Sequence, residues 1–257
     1  MKHLLKKTLF SLLGIENYLR LHQKGYFIAY RLGILKKNNN YKYHYYVKNL
    51  IHEGDTVIDI GANLGYYSRL FSEWVGPSGK VYAVEPIALY NKLFKEATKR
   101  QTNITLYPFA LGAEEKRIYL VTHAHSGYLH TGLPHVYDAS KDGNIEEQGF
   151  RFRAEMKRPD QLFAGLEKIN YIKCDIEGFE YTVLSEMKEL LAKYKPVLQV
   201  EVWGENKERL FQLLQSMGYA PHRLENNTLD SREEAIINGS GDYIFIFTKA
   251  SQLFNFA

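Results

Sequence analysis

The 257-residue sequence predicts a doubly wound α/β sheet with a helical N-terminal extension, and three observations carry that prediction. From residue 56 onward short apolar runs alternate with helix-period segments, the pattern of βαβ units in a largely parallel sheet. The run Val57-Ile58-Asp59-Ile60 ends in Gly61-Ala62-Asn63-Leu64-Gly65 and passes at once into a helical pattern at Tyr66. That is the strand, tight turn and helix start of a nucleotide-binding unit. Twenty positions past Gly65 a second run, Lys80 to Val84, ends in Glu85, where an acid can accept hydrogen bonds from both hydroxyls of a ribose.

Hydrophobic residues at 45% and charged residues at 24% suit one folded domain with decoration. The single Cys174 rules out an intrachain disulfide and points to a reducing, cytoplasmic compartment. No apolar run is long enough to span a bilayer. Residues 1–40 carry eight Lys and Arg against Glu16 alone, a net +7, which leaves the remainder at −3. A basic arm (1–40) is therefore expected ahead of the main α/β domain (41–257). With the positive charge away from the cleft, no nucleic-acid partner is expected. Within the arm, Leu4, Leu5, Leu9, Leu12 and Leu13 fall on one face of a helix with Lys2, Lys6 and Lys7 on the other. Two uses fit: docking on the body or a partner chain, or resting peripherally on an anionic inner-membrane surface through residues 1–35.

Gly14 and Gly25 punctuate helical segments through Leu35, and residues 36–40 read as a linker. A helix over 41–51 leads into the first strand, 56–60, and its Tyr43, His44, Tyr45 and Tyr46 serve either packing or the cofactor mouth. Helix 88–100 and strand 104–107 follow, then a turn at 108–112 and strands near 117–122 and 150–156. Between the last two lies a long polar segment with His123, His125, His130 and His135, of a length usual for functional or disordered loops. A helix over 160–166 precedes the buried strand 171–174, and another runs from about 180 to 194. Strand 196–203, helix 208–217 stopped by Gly218, a weak strand after Tyr219 and the covered strand 243–247 complete the chain.

Ligands of such sheets bind at the carboxyl ends of the strands, a rule that collects Asp59, Gly61, Asn63, Gly65, Glu85, Ala110, Asp175, Glu177 and Glu201 on one rim. A dinucleotide asks for G-x-G-x-x-G, but Asn63 replaces the middle glycine and Tyr66 stands directly after Gly65. The G-x-N-x-G turn suits a ribose ligand without a pyrophosphate, such as S-adenosyl-L-methionine. Asp59 would then face the ammonium while the N–H groups of the turn receive the carboxylate.

Four pieces together resemble the FkbM family of S-adenosylmethionine-dependent methyltransferases, of the Rossmann-like class. They are Val57 to Ser68, Val81-Tyr82-Ala83-Val84-Glu85-Pro86, Ala110-Leu111-Gly112 and Ile172-Lys173-Cys174-Asp175-Ile176-Glu177-Gly178-Phe179-Glu180. The last, K-x-D-x-E-G-x-E, is the specific one. The resemblance covers roughly residues 50–248. It implies a seven-stranded sheet with the last strand antiparallel, and methyl transfer, usually to a hydroxyl of a sugar, polysaccharide unit or secondary metabolite. It places Asp59, Gly61, Asn63, Gly65, Tyr66, Ser68, Glu85, Pro86, Ala110, Leu111 and Asp175 around the cofactor. The stretch His125 to Gly132 departs from the Ser/Gly-rich stretch frequent in the family, so the small-molecule or glycan acceptor stays open.

A hydroxyl acceptor needs a positioned base. Asp175 and Glu177 are candidates, since repulsion between neighbouring carboxylates makes one of them more basic. His125 and His130 are candidates from the long segment, because imidazole titrates near neutrality. Glu180 reads as an acid favouring its own helix N-terminus. His123 and His125 would share one face of a strand, so a metal site with Asp175 or Glu177 is conceivable. No zinc-type spacing supports it, and no metal is expected. Two other readings compete: a nicotinamide oxidoreductase, weakened by the missing glycine, and a non-catalytic scaffold, weakened by the intact Asp59, Glu85 and Asp175.

Overall fold

A computed structural model describes residues 2–122, 128–204 and 206–248, with side chains from Lys6 onward. The chain opens with α1 (Lys2–Arg31) and the short α2 (Lys42–Tyr46). The first βαβ units follow as β1 (Thr56–Ile60), α3 (Tyr66–Val75), β2 (Lys80–Val84), α4 (Ala88–Ala97) and β3 (Ile104–Tyr107). An inserted group comes next: β4 (Ala110–Leu111), β5 (Lys116–Val121), β6 (His135–Val136), α5 (Ala139–Asp142) and β7 (Arg151–Lys157). The second half runs α6 (Pro159–Leu162), β8 (Tyr171–Cys174), α7 (Glu180–Glu186), α8 (Lys188–Tyr194), β9 (Val197–Val202) and α9 (Asn206–Ser216). It closes with β10 (Tyr219–Glu225), β11 (Thr228–Asp230), α10 (Glu233–Ile237) and β12 (Gly241–Phe247).

The main sheet has the order β11-β10-β12-β9-β8-β1-β2-β3. Strands β3, β2, β1, β8 and β9 pair in parallel, and β12 runs antiparallel to both of its neighbours. The expected seven strands with the last antiparallel are therefore present. β11 adds an eighth at the edge through the Asn226-Asn227 turn, where both residues have positive φ as a tight hairpin turn requires. Placement between β9 and β10 explains the apolarity of β12, whose Tyr243, Ile244 and Phe245 are fully buried.

All five residues of β1 are buried, because β8 flanks it on one side and β2 on the other. Ile58 and Ile60 join Ile172, Cys174, Leu198 and Val200 on one face, while Val57 joins Tyr43, Val47, Phe71 and Tyr171 on the other. Each such side chain contributes roughly 1.5–3 kcal/mol by leaving water. The crossover from β3 to β8 puts the topological switch between β1 and β8, so their carboxyl ends open a crevice.

The inserted strands form a second sheet, β4-β7-β5-β6. Much of the long segment expected between β5 and β7 is structured: it holds β6, α5 and a 3₁₀ turn at Ile145–Glu147, with His135 Nε2 bonded to Asp142 at 2.9 Å. His123 and His125 lie outside the described residues. Four expected helices are shorter or divided. Helix 41–51 splits into α2 and a 3₁₀ turn at Val47–Leu50. Helix 88–100 ends at Ala97, helix 160–166 ends at Leu162, and the helix to Tyr194 breaks at Met187. There the Met187 N–H turns back to Leu184, and its side chain is drawn wholly into the core.

Helix α1 kinks at Gly14 (φ 69°) and runs unbroken through Gly25. It packs on the body: Leu9, Phe10, Leu13, Tyr18 and Leu19 share a cluster with Leu64, Tyr90, Leu93, Ile118 and Leu120. Of the two uses expected for the leucine face, docking on the body is the one that Leu9 and Leu13 show, with Leu12 left exposed. The side chains of Leu4 and Leu5 lie outside the described residues. The expected linker is two 3₁₀ turns, Ile34–Lys37 and Asn39–Tyr41. Among the described residues no helix is long and apolar enough to cross a membrane.

Candidate active site

The turn after β1 is built by conformations few residues adopt. Gly61, Asn63 and Gly65 have φ of 82°, 51° and 82°. A Cβ on Gly61 would stand 1.9 Å from the Asp175 carbonyl oxygen, so glycine is what lets β1 and β8 end side by side. The Asn63 N–H donates to Glu85 Oε2 at 2.9 Å, and its side-chain amide donates to the Thr131 carbonyl at 2.8 Å. Glu85 takes a second N–H, from Ile87, on Oε1 at 2.8 Å. Burial pushes its carboxyl up to about 7 against the pull of these two N–H donors. Gly61→Ala is expected to weaken binding of S-adenosylhomocysteine more than tenfold by calorimetry, since a positive φ alone costs about 1–2 kcal/mol and the clash adds to it. Unchanged affinity would mean that the turn does not shape the pocket.

Asp59 is sealed at the end of β1. Ser68 Oγ donates to its Oδ2 at 2.5 Å, while Oδ1 is buried with no partner among the described residues. Burial pushes this carboxyl up, and the Lys173 ammonium pulls it part of the way back. An orphaned acceptor on the wall of a cavity fits a cationic amino group, which is what the methionine end of S-adenosylmethionine presents. The cavity measures about 320 Å³, within the range of small-molecule pockets. Asp59, Gly61, Asn63, Tyr66, Glu85, Pro86, Ala110, Leu111, Asp175 and Glu177 all line it. Gly65 and Ser68 do not. Gly65 presses on the Phe94 ring, where a Cβ would stand 3.0 Å away, and Ser68 acts through Asp59.

The end of β8 gathers charge. Lys173 points from the interior of the strand to Asp175, Nζ to Oδ2 2.7 Å, and is itself buried. Burial alone would raise Asp175, but the ammonium holds its carboxyl below the usual carboxylate range. Glu201, from the end of β9, shares a hydrogen bond with Asp175, and burial with the charge of Asp175 pushes it up to about 9. Glu177 has the left-handed φ of 53°, and burial and Asp175 push it up to about 8. Glu180 Oε1 accepts the N–H groups of Ile176 and Gly178 at 2.9 and 3.2 Å and so fastens the turn that presents Glu177. Asp175, Glu177 and Glu201 offer one oxygen each within 4.8 Å of one another, a spacing that a divalent cation can span. Lys173 already sets one positive charge against that group.

A second cavity of about 270 Å³ adjoins the first and shares His22, Thr131, Gly132 and Glu177 with it. Lys6, Tyr18, Tyr128 and His130 complete its polar and aromatic lining. His130 thus lies in the cavity next to the first, with its ring 4.4 Å from that of Tyr128. Helix α1 supplies one wall of both cavities. His22 Nδ1 meets Tyr66 Oη at 3.1 Å, the ring of Tyr26 lies 4.5 Å from that of Tyr66, and Gln23 Nε2 donates to the Leu64 and Leu93 carbonyls.

Sequence reasoning missed His22 and Tyr26, because nothing in an amphipathic arm says which side of the body it will cover. It left His44 open. The structure puts His44 in the pocket, stacked 4.0 Å from Tyr67, and turns Tyr43 to the Asp242 carbonyl and Tyr45 to the Tyr30 ring. Burial, with the Lys173 charge, pushes His44 down to about 3, so it is a neutral ring at physiological pH. Lys173 carried a signal, a lysine inside an apolar strand, which a buried carboxylate partner explains.

A G-x-N-x-G turn, a sealed acid at the end of β1, a second acid at the end of β2 and a carboxylate group at the end of β8 mark the Rossmann-like fold class of S-adenosylmethionine-dependent methyltransferases. The profile of the methyltransferase FkbM domain family matches residues 59–221, and the chain belongs to that family. The crystal structure of a methyltransferase FkbM from Methylobacillus flagellatus KT superposes with a TM-score of 0.51 at 14% identity, over 78% of this chain and 46% of that one. A protein-L-isoaspartate O-methyltransferase of Methanothrix thermoacetophila is 33% identical over 73 residues, 27% of this chain and 35% of that protein. The chain therefore spans less than half the length of either relative.

Proposed function

We propose that the protein transfers the methyl group of S-adenosylmethionine to a hydroxyl of a carbohydrate, glycoconjugate or related metabolite, with Glu177 as the base. The observation that carries this reading is the position of Glu177 at the junction of the cofactor cavity and the second cavity. A sulfonium methyl is already activated, so the protein must hold an acceptor in line and remove its proton. Asp59 and Glu85 are placed to hold the amino acid and ribose ends of the cofactor. Tyr18 and Tyr128 offer ring faces to the apolar side of a sugar, while Lys6, His22 and His130 offer polar contacts to its hydroxyls.

The charge balance of the site supports this role for Glu177. Of the three carboxyls gathered at the ends of β8 and β9, with Asp175 paired to Lys173 and Glu201 pushed up to about 9, Glu177 at about 8 is the one that ionises nearest working pH. A cationic cofactor nearby favours its ionised form, which is the form that accepts a hydroxyl proton.

Labelled methyl transfer into fractionated extract of the source organism, with the product identified by mass, tests the reading. The expected product is a methyl ether in a carbohydrate-containing fraction, stable to mild base. Label confined to base-labile esters, or to protein or nucleic acid, would replace the hydroxyl acceptor with another class.

A further inference from the structure

We propose that the outer face of α1 is a docking surface for an anionic lipid bilayer. Among the described residues, five of the eight large apolar side chains that stand exposed fall between residues 12 and 34. Leu21 (52% exposed), Ile28 (60%) and Leu32 (70%) recur at seven and four residues, which sets them within about 40° on one face of the helix. Ile34 (60%) continues the ridge into the following 3₁₀ turn. This ridge is not the leucine face read from residues 4–13, part of which is packed against the body.

The flanks of the ridge are basic. Lys24 and Arg31 lie one turn from Ile28 on the same side of the helix. Ile28 and Arg31 also line a shallow groove with Arg69, Lys99 and Arg100, and Leu32 and Arg31 line another with Lys36 and Lys48. Lys24, Arg31, Lys99 and Arg100 form no ion pair among the described residues. Glu96, the acid in the first groove, is engaged by Arg20. An apolar ridge between unpaired cations matches the acyl–headgroup boundary of an anionic membrane. A nucleic acid would use the cations and leave the ridge in water, and a second copy of this face would bring like charges together. The ridge borders the site: His22, the residue after Leu21, lines both cavities. Docking would therefore bring the cavity mouth near the lipid surface.

The test is co-sedimentation of the full chain with vesicles of phosphatidylcholine alone and of phosphatidylcholine with one quarter phosphatidylglycerol. Binding is expected to the anionic vesicles only, and to weaken several-fold between 0.1 and 0.5 M salt. Ile28→Ser/Leu32→Ser and, separately, Lys24→Glu/Arg31→Glu are each expected to weaken it more than tenfold. Both variants should keep the thermal midpoint and S-adenosylhomocysteine affinity of the parent, which separates lost docking from lost folding. Anionic-vesicle binding unchanged in the serine variant would overturn the proposal. So would a dimer dispersed by those serines without vesicle binding, or binding to duplex or single-stranded nucleic acid that leaves vesicles untouched.

Discussion

Asp175→Asn is expected to lower methyl transfer by at least a hundredfold and to destabilise the protein by about 3 kcal/mol. The carboxylate is the hydrogen-bonded partner of Lys173, whose side chain is only 3% exposed, whereas Asp175 is 34% exposed toward the cavity. Removing the acid strands the worse-placed charge. The expected cost sits at the low end of the range for broken buried pairs, because the Asp59 and Asp242 carboxylates also favour the ammonium. Activity falls for a separate reason: the negative charge facing the site at the end of β8 is gone. The double variant Lys173→Met/Asp175→Asn should regain most of the stability by urea unfolding and none of the activity. A single variant as stable as the parent would show that Lys173 does not depend on this carboxylate, and an active double variant would remove Asp175 from the chemistry.

Glu177→Gln is expected to lower kcat by about 10²–10⁴-fold, the usual contribution of a positioned base, with cofactor affinity changed less than about threefold. The sign of the pH dependence follows from the raised carboxyl. Protonated Glu177 cannot accept a proton, so the rate should climb as pH rises toward its value of about 8. In the complex with the cationic cofactor that rising limb should lie below 8, and in the Gln variant it should vanish. A Gln variant that keeps the limb of the parent would transfer the role to another group, such as the His22 or His130 imidazole that lines the second cavity. The left-handed backbone of Glu177, an uncommon conformation for a glutamate, points the same way: such strain persists where surrounding structure enforces it, here the Glu180 clasp on the same turn.

Much of the cofactor side was legible because local rules govern it. A strand ending in Gly-x-Asn-x-Gly has few conformations open to it, and an acid ending the next parallel strand must reach the same edge. The antiparallel insertion of β12 was implied by resemblance, and its apolarity alone indicated a covered position. The edge strand β11 was not seen, because three residues after an Asn-Asn turn carry little periodicity.

The acceptor side was far less legible. His22, Tyr26 and Lys6 reach the site from an arm whose sequence shows only amphipathicity, and their approach depends on the Gly14 kink and on Gln23 fastening to the turn. Charge was similarly ambiguous. Asp175, Glu177 and Glu201 can each be read as a rim carboxylate, yet the buried Lys173 makes one strongly ionised and leaves two raised.

By itself the sequence determined the alternation of strands and helices, the cofactor turn and the acids that end β1, β2 and β8, because each depends on residues within one element or one βαβ unit. Only the tertiary structure decided that α1 walls both cavities, which of its apolar residues stay in water, and which carboxyls are raised. Those outcomes depend on desolvation and charge summed over segments far apart in the chain, and no local pattern encodes such sums.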